Sequence, residues 1–241
     1  MDFSKVERRI VDQVDLKLKE FGFRLYKVDL QREHYANFIL EREDRHFIFG
    51  IRFLHYSSEI GIEPKILVSY NRVTEIVKKV IGWESEYYHG WLAISARIGD
   101  LINPKNSDGF FNDNDCLQID FKPTENEIEK AISKLMKKYF HIGALNFIEK
   151  TNTLEKAECL ANEWVLKSDE RINRLAYFGH IPWQITTGII LAKLVDNPNY
   201  DQLLERYNSY AKNLDPEENE WIKDFYAFSE YFRNPNWQST I

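Results

Sequence analysis

The sequence predicts an α+β protein, with an antiparallel sheet of about six strands after an N-terminal helix and an α-helical C-terminal half. Three observations support this fold class. Apolar and polar residues alternate in several short segments of the first half, which is typical of strands. The links between these segments are short and polar, which favours hairpins over parallel crossovers. Beyond about Lys150 the apolar residues recur at helical spacing, so we expect two domains, residues 1–150 and 151–241.

The first elements follow directly from the periodicity. From Phe3 to Phe21 the apolar residues recur every three to four positions and Gly22 follows, so the sequence predicts an amphipathic helix that ends at a glycine. Period-two segments then predict strands around residues 26–30, 35–40 and 47–53. Short polar links between them indicate an antiparallel meander.

The remaining predicted elements are first strands with one helix between them and then helices alone. Further strands are predicted at Ile66 to Tyr70, Leu92 to Ile98 and Leu117 to Phe121, with a short helix from Val73 to Ile81. Thr124 with Glu127 three positions later forms a capping box, which predicts the start of the next helix. Five more helices are expected after residue 150.

Composition and charge restrict the classes of partner. The chain has 241 residues, 44% of them hydrophobic, so it can bury a core without disulfide or metal staples. Its formal net charge of −6 disfavours nucleic acid and anionic membranes and favours a basic protein partner. The N-terminal sequence resembles neither a signal peptide nor a membrane span, so we expect a cytoplasmic protein.

No motif of a common cofactor or metal enzyme occurs in the chain. It has no nucleotide-binding glycine loop, nucleophile elbow or zinc-protease helix. Cys116 and Cys159 lack the spacing of a zinc site, and the six histidines are dispersed along the sequence. The sequence therefore predicts no cofactor and no metal site, and it favours a non-enzymatic function.

One triplet offers an alternative, enzymatic interpretation. Glu63-Pro64-Lys65 precedes a predicted strand and has the E-x-K spacing of metal-dependent nucleases, in which the carboxylate holds Mg²⁺ and the lysine stabilises charge. The proline disfavours this interpretation. The hypothesis requires a further carboxylate brought close by folding.

A second candidate site combines acidic and aromatic residues. It consists of Glu84, Glu86, Tyr88, His89 and Trp91 at the entry to a predicted strand. Arg97, on that same strand, is a further candidate binding residue. Tyr and Trp supply contact area in protein interfaces, and carboxylates can meet a basic partner. The competing interpretation is that these aromatic residues only close one end of the sheet.

The chain resembles a family of uncharacterised bacterial α+β proteins over residues 1 to about 140. The resemblance rests on the opening helix that ends in Phe21-Gly22-Phe23, the meander, and the Arg97-Ile98-Gly99-Asp100-Leu101-Ile102 run followed by Asp108-Gly109-Phe110-Phe111. Some relatives of that family look like immunity proteins of toxin systems. The resemblance implies a bacterial protein that binds and neutralises a cognate toxin, with no catalytic residues to carry over.

Three hypotheses about function follow. The first is a non-enzymatic protein-binding module, such as an immunity protein that covers a basic toxin. The second is a metal-dependent nuclease or other hydrolase built on Glu63 and Lys65. The third is a helical scaffold that docks a peptide or helix in an apolar groove after residue 150. The sequence leaves the identity of the partner and the oligomeric state open.

Overall fold

A computed structural model describes residues 3–82, 94–102, 116–167, 181–214 and 221–240. The strands are β1 (Arg24–Asp29), β2 (Tyr35–Glu41), β3 (Arg45–His55), β4 (Glu59–Tyr70), β5 (Ile94–Arg97) and β6 (Leu117–Asp120). The helices of the first half are α1 (Phe3–Lys19), α2 (Asn71–Ile81), α3 (Ile98–Ile102), α4 (Glu125–Lys134), a π-helix (Leu135–Ala144) and α5 (Leu145–Lys150). Those that follow are α6 (Leu154–Lys167), α7 (Ile181–Leu194), α8 (Tyr200–Ala211), α9 (Trp221–Arg233) and a short 3₁₀ helix (Trp237–Thr240).

The predicted fold class is confirmed. The sheet has the order β1-β2-β3-β4-β5, and β6 also pairs with β4. The pairs β1–β2 and β2–β3 are antiparallel, as the short polar links predicted, and β4–β6 is antiparallel as well. Helices follow the sheet in the C-terminal part.

The apolar stripe of α1 packs into the core beside the sheet. Ile10, Val11, Val14 and Leu18 are completely buried, as their helical spacing predicts. The turn after α1 contains Gly22, whose φ of 83° is a conformation that other residues rarely adopt. This turn leads the chain from α1 directly into β1.

An aromatic cluster connects the π-helix with β3 and with the turn between α1 and β1. Phe140 of the π-helix contacts Phe21, Phe23 and Phe49 edge to face, with ring centroids 5.0, 5.7 and 5.4 Å away. Such pairs add about 0.5–1.5 kcal/mol each beyond their area burial. The helical pattern through Tyr139 predicted a helix here, but it did not reveal the π-helical hydrogen bonding.

One strand differs from the sequence prediction. The strand expected from Ile66 to Tyr70 begins at Glu59 instead, so Glu63, Pro64 and Lys65 lie inside β4 rather than ahead of it. The helix expected around residues 172–178 falls outside the described residues, and four of the five predicted later helices are described.

The chain divides into two compact units. Unit 1 comprises Met1–Leu67 and Ala96–Glu149, and unit 2 comprises Val68–Ser95 and Lys150–Ile241. One boundary between the units lies between Glu149 and Lys150. Residues 68–95, which the sequence analysis placed in the first domain, group with unit 2.

Unit 2 contains a buried polar cluster, which we call the helical network. Asn162 of α6 donates to the Glu158 carboxylate (2.8 Å) and to the Gly188 carbonyl (3.0 Å). Tyr207 of α8 donates to the Asn162 Oδ1 atom (2.7 Å), and Asn197 donates to Glu158 (2.5 Å). These bonds connect α6, α7 and α8.

Within the described ranges, no helix has both the length and the apolar character needed to cross a membrane.

Candidate functional site

A buried carboxylate interrupts the apolar face of α1. Glu7 lies one helical turn before Ile10 and Val11 and has no solvent exposure. An unpaired buried carboxylate is costly, because the surrounding protein cannot replace its hydration. Glu7 therefore needs partners that donate hydrogen bonds or carry positive charge.

The hairpin of β2 and β3 supplies those partners. His34 lies directly before β2, and His55 is the last residue of β3. Tyr35 pairs with Arg52 across the two strands, and the Phe53 N–H donates to the His34 carbonyl (2.8 Å). Antiparallel pairing thus brings the two histidines to the same end of the hairpin, where their ring centroids lie 4.2 Å apart.

Each oxygen of the Glu7 carboxylate contacts one of these histidines. Glu7 Oε2 lies 3.2 Å from His34 Nδ1, and Glu7 Oε1 lies 2.5 Å from His55 Nε2. One ligand atom from each residue falls within 4.8 Å of the others. We call Glu7, His34 and His55 the triad. The side chains of His34 and His55 are 29% and 24% exposed, so the triad is closed on the Glu7 side and reaches solvent on the histidine side.

The backbone of His34 is strained. Its φ is 50°, a left-handed conformation that costs a non-glycine residue roughly 1–2 kcal/mol. Such conformations persist where the surrounding structure holds them, and they concentrate at functional sites. The hydrogen bond from Phe53 to the His34 carbonyl is one contact that holds this residue in place.

The donor set of the triad suits a transition metal ion. Two imidazole nitrogens and one carboxylate oxygen are ligands that bind Zn²⁺, Fe²⁺ and similar ions, whereas Mg²⁺ and Ca²⁺ prefer oxygen alone. Three protein ligands with an accessible side are also the arrangement of catalytic zinc sites, which keep a position for water or substrate. Glu7, His34 and His55 are therefore candidate ligands for such an ion.

The residues of the nuclease hypothesis form a second polar cluster in unit 1. Glu63 and Lys65 lie on one face of β4, with Lys65 Nζ 3.1 Å from Glu63 Oε2. Arg97 at the end of β5 lies between two carboxylates. Its Nη1 atom is 3.8 Å from Glu63 Oε1, and its Nε atom is 3.0 Å from Asp100 Oδ2. Folding thus brings a second carboxylate, Asp100, into the cluster through Arg97.

The charges of this second cluster balance internally. Glu63 and Asp100 are buried, and the cations Lys65 and Arg97 contact them. Glu63 Oε2 and Asp100 Oδ1 accept no directed hydrogen bond from the part of the chain that the structure describes, although Lys65 Nζ is close to the former. Two cations at the carboxylates oppose a divalent ion, because like charges repel more strongly when buried.

The other predicted binding residues cannot be placed. Glu84, Glu86, Tyr88, His89 and Trp91 lie outside the described residues. Arg97 is described, and it takes part in the ion pairs with Glu63 and Asp100.

Sequence reasoning missed the triad, although two signals point to it. Glu7 stands at helical spacing from Ile10, Val11 and Val14, so a charged residue occupies the apolar face of the predicted helix. His34 and His55 flank the outer ends of two strands predicted to form a hairpin, and antiparallel pairing makes such ends neighbours. Histidine ligands four residues apart on one helix are visible in a sequence, whereas the three residues of the triad come from three separate segments.

Comparison with known proteins found no matching family, no matching curated protein and no matching solved structure. The resemblance to uncharacterised bacterial proteins and to immunity proteins therefore stays a prediction.

Proposed function

We propose that this protein binds a divalent transition metal ion, with zinc as the first candidate, through Glu7, His34 and His55. The observation that carries the proposal is the convergence of two imidazoles on a carboxylate with no solvent exposure. A divalent cation at the triad would bring positive charge to the buried carboxylate.

The distances within the triad are close to those of a loaded site. Zinc binds nitrogen and oxygen ligands at about 2.0–2.2 Å, so two tetrahedral ligands are separated by roughly 3.3 Å. The His34 Nδ1 to Glu7 Oε2 distance of 3.2 Å matches this value. The His55 Nε2 to Glu7 Oε1 distance of 2.5 Å is that of a direct hydrogen bond. Metal binding must release its proton and move these two atoms apart by about 0.8 Å.

Isothermal titration of the metal-free protein with Zn²⁺ tests the proposal. We expect one zinc ion per chain, with a dissociation constant in the micromolar range or tighter. His34→Ala, His55→Ala and Glu7→Gln each remove one ligand and should weaken binding by at least about 100-fold, equivalent to about 2.7 kcal/mol. A thermal melt of each variant without metal checks that it is folded.

His141→Gln is the matched control, because His141 is exposed in the π-helix and lies outside the triad. It should bind zinc as the original protein does. Equal affinity in the control and in the His34 and His55 variants would contradict the proposal, since the zinc would then be bound elsewhere.

A second candidate function is the binding of a basic protein partner, as an immunity-type protein of the bacterial cytoplasm would do. The excess of acidic residues, with a net charge of −6, favours this candidate. Its proposed contact residues are Glu84, Glu86, Tyr88, His89 and Trp91 with Arg97. Affinity capture with the tagged chain should recover a basic protein in stoichiometric amount, and Glu84→Lys with Glu86→Lys should abolish its recovery.

The two remaining hypotheses receive less support. A hydrolase built on Glu63 and Lys65 would need a carboxylate available to Mg²⁺, whereas Glu63 contacts both Lys65 and Arg97. A helical scaffold would need an apolar groove, whereas the groove described between α8 and α9 is lined mainly by polar side chains.

A further inference from the structure

A groove lies between α1 and the helical segment formed by α4 and the π-helix in unit 1. Its volume is about 550 Å³, which is within the range of small-molecule sites. One wall consists of α1 and the turn that follows it, and the other wall consists of α4 and the first part of the π-helix. No triad residue is among the described residues that line it, so this groove is separate from the proposed metal site.

The floor of the groove is apolar. Ile132 of α4 and Met136 of the π-helix line it and are each 5% exposed. Phe21, which is half-buried, contributes an aromatic ring from the α1 side. A thioether and an aromatic ring both make favourable contacts with an aromatic ligand. An apolar group of a ligand can therefore leave water at this floor.

The π-helix brings two of its side chains to this groove. Met136 and His141 both line it and are five residues apart, which is about one turn of a π-helix but more than one turn of an α-helix. His141 packs edge to face against Phe21, with ring centroids 5.1 Å apart. Because π-helical segments are rare and frequently occur at functional sites, this geometry favours a binding role for the groove.

Four charged side chains, which we call the rim charges, line the groove and belong to exposed residues. They are Lys17 and Glu20 on the α1 side, and Lys137 and Glu129 on the opposite wall. None of the four forms an ion pair or a hydrogen bond with the part of the chain that the structure describes. Arg9 also lines the groove, but it is paired with Glu125. Two ammonium groups and two carboxylates are thus available to a ligand.

We propose that this groove binds a free amino acid with an apolar side chain. The apolar side chain packs on the floor formed by Ile132, Met136 and Phe21. The α-carboxylate meets the ammonium groups of the rim, and the α-ammonium group meets the rim carboxylates, through charge-assisted hydrogen bonds. Equal numbers of the two charges disfavour a polyanion or a polycation, because each would also meet like charges. The site requires no metal at the triad.

An NMR titration of the metal-free full chain with L-phenylalanine tests the proposal. We expect saturable shifts of backbone amide signals in α1 and in the segment from Glu129 to His141, with a dissociation constant of about 1 mM or tighter. Two analogues separate the charges, because N-acetyl-L-phenylalanine lacks the ammonium group and L-phenylalaninamide lacks the carboxylate. Each should bind at least about 10-fold more weakly, since it leaves one sign of rim charge unmatched.

Paired variants with unchanged net charge identify the groove as the site. Lys17→Gln with Glu129→Gln removes one rim charge of each sign and should weaken L-phenylalanine binding at least about 10-fold. Lys130→Gln with Glu75→Gln makes the same exchange at exposed positions outside the lining, and its affinity should stay within about 2-fold of the original. The amide spectrum of each variant without ligand checks that it is folded.

Three results would overturn the inference. The first is the absence of saturable shifts at about 10 mM L-phenylalanine, or shifts that lie outside the two walls. The second is equal binding of L-phenylalaninamide, which would indicate the N-terminal residue of a peptide instead of a free amino acid. The third is equal affinity in the groove variant and its control. The zinc titration is a separate measurement, so this inference and the proposed metal binding can fail independently.

Discussion

The triad of unit 1 and the helical network of unit 2 are both buried polar clusters, yet they differ in chemistry and access. The helical network consists of amides, a phenol and a carboxylate whose hydrogen bonds join three helices. The triad consists of metal-ligand side chains, opens to solvent at the histidines and includes a strained backbone. The first has the properties of a structural element, and the second has those of a binding site.

The difference shows how a buried polar group can be assigned to stability or to function. A network that satisfies its own donors and acceptors contributes to folding and needs no ligand. In the triad, the buried Glu7 carboxylate contacts two histidines, and it is the histidine side chains that reach solvent. We therefore expect substitutions in the helical network to lower the free energy of unfolding, and a substitution in the triad to change it little.

The largest expected effect is in the helical network. Asn162→Leu removes the acceptor of the Tyr207 hydroxyl and a donor to the Glu158 carboxylate and the Gly188 carbonyl, and Asn162 is 1% exposed. We expect a loss of about 3 kcal/mol in the free energy of unfolding, measured by urea denaturation. Asn213→Leu makes the same change at an exposed site and should cost less than about 0.5 kcal/mol. Equal costs would show that the network is not structural.

A smaller effect is expected from Tyr207→Phe, which removes one donor of the same network. The loss should be about 1–2 kcal/mol near neutral pH. Burial raises the pKa of Tyr207, so this hydroxyl stays neutral in the folded chain while it ionises in the unfolded chain above pH of about 10. Its stabilisation is therefore complete below that pH and is lost as the pH rises, and the gap between the two proteins should narrow.

The smallest expected effect on stability is in the triad. Glu7→Leu places an apolar side chain on the apolar face of α1, and the two histidines can then turn to solvent. Replacement of buried ionic groups by apolar residues is often neutral or stabilising, so the free energy of unfolding without metal should change by less than about 1 kcal/mol. A loss above about 2 kcal/mol would give the triad the same structural role as the helical network.

Periodicity predicted the fold because each early element has a clear apolar pattern. The spacing of Ile10, Val14 and Leu18 and the alternation in β2 and β3 were sufficient for α1 and the meander. Periodicity could not give the start of β4, because Pro64 interrupts the pattern of a strand. It also could not give the π-helix, because apolar spacing does not determine which carbonyl each N–H contacts.

The site was harder to predict than the fold for a physical reason. Glu7, His34 and His55 come from a helix, a turn and a strand end, so their proximity depends on tertiary packing and strand register. Sequence motifs, by contrast, join residues that are neighbours in the chain, such as Glu63 and Lys65 or Glu84 to Arg97. Of those, Glu63, Lys65 and Arg97 do come together, but in ion pairs, and Arg97 also pairs with Asp100.

X-ray absorption spectroscopy of the zinc-loaded protein tests the central claim most directly, because it identifies the ligands of the metal. The account predicts two imidazole nitrogens and at least one oxygen at about 2.0–2.1 Å, with one imidazole lost in His34→Ala. A zinc ion coordinated by oxygen alone, or by the thiolate of Cys116 or Cys159, would contradict a metal site at Glu7, His34 and His55.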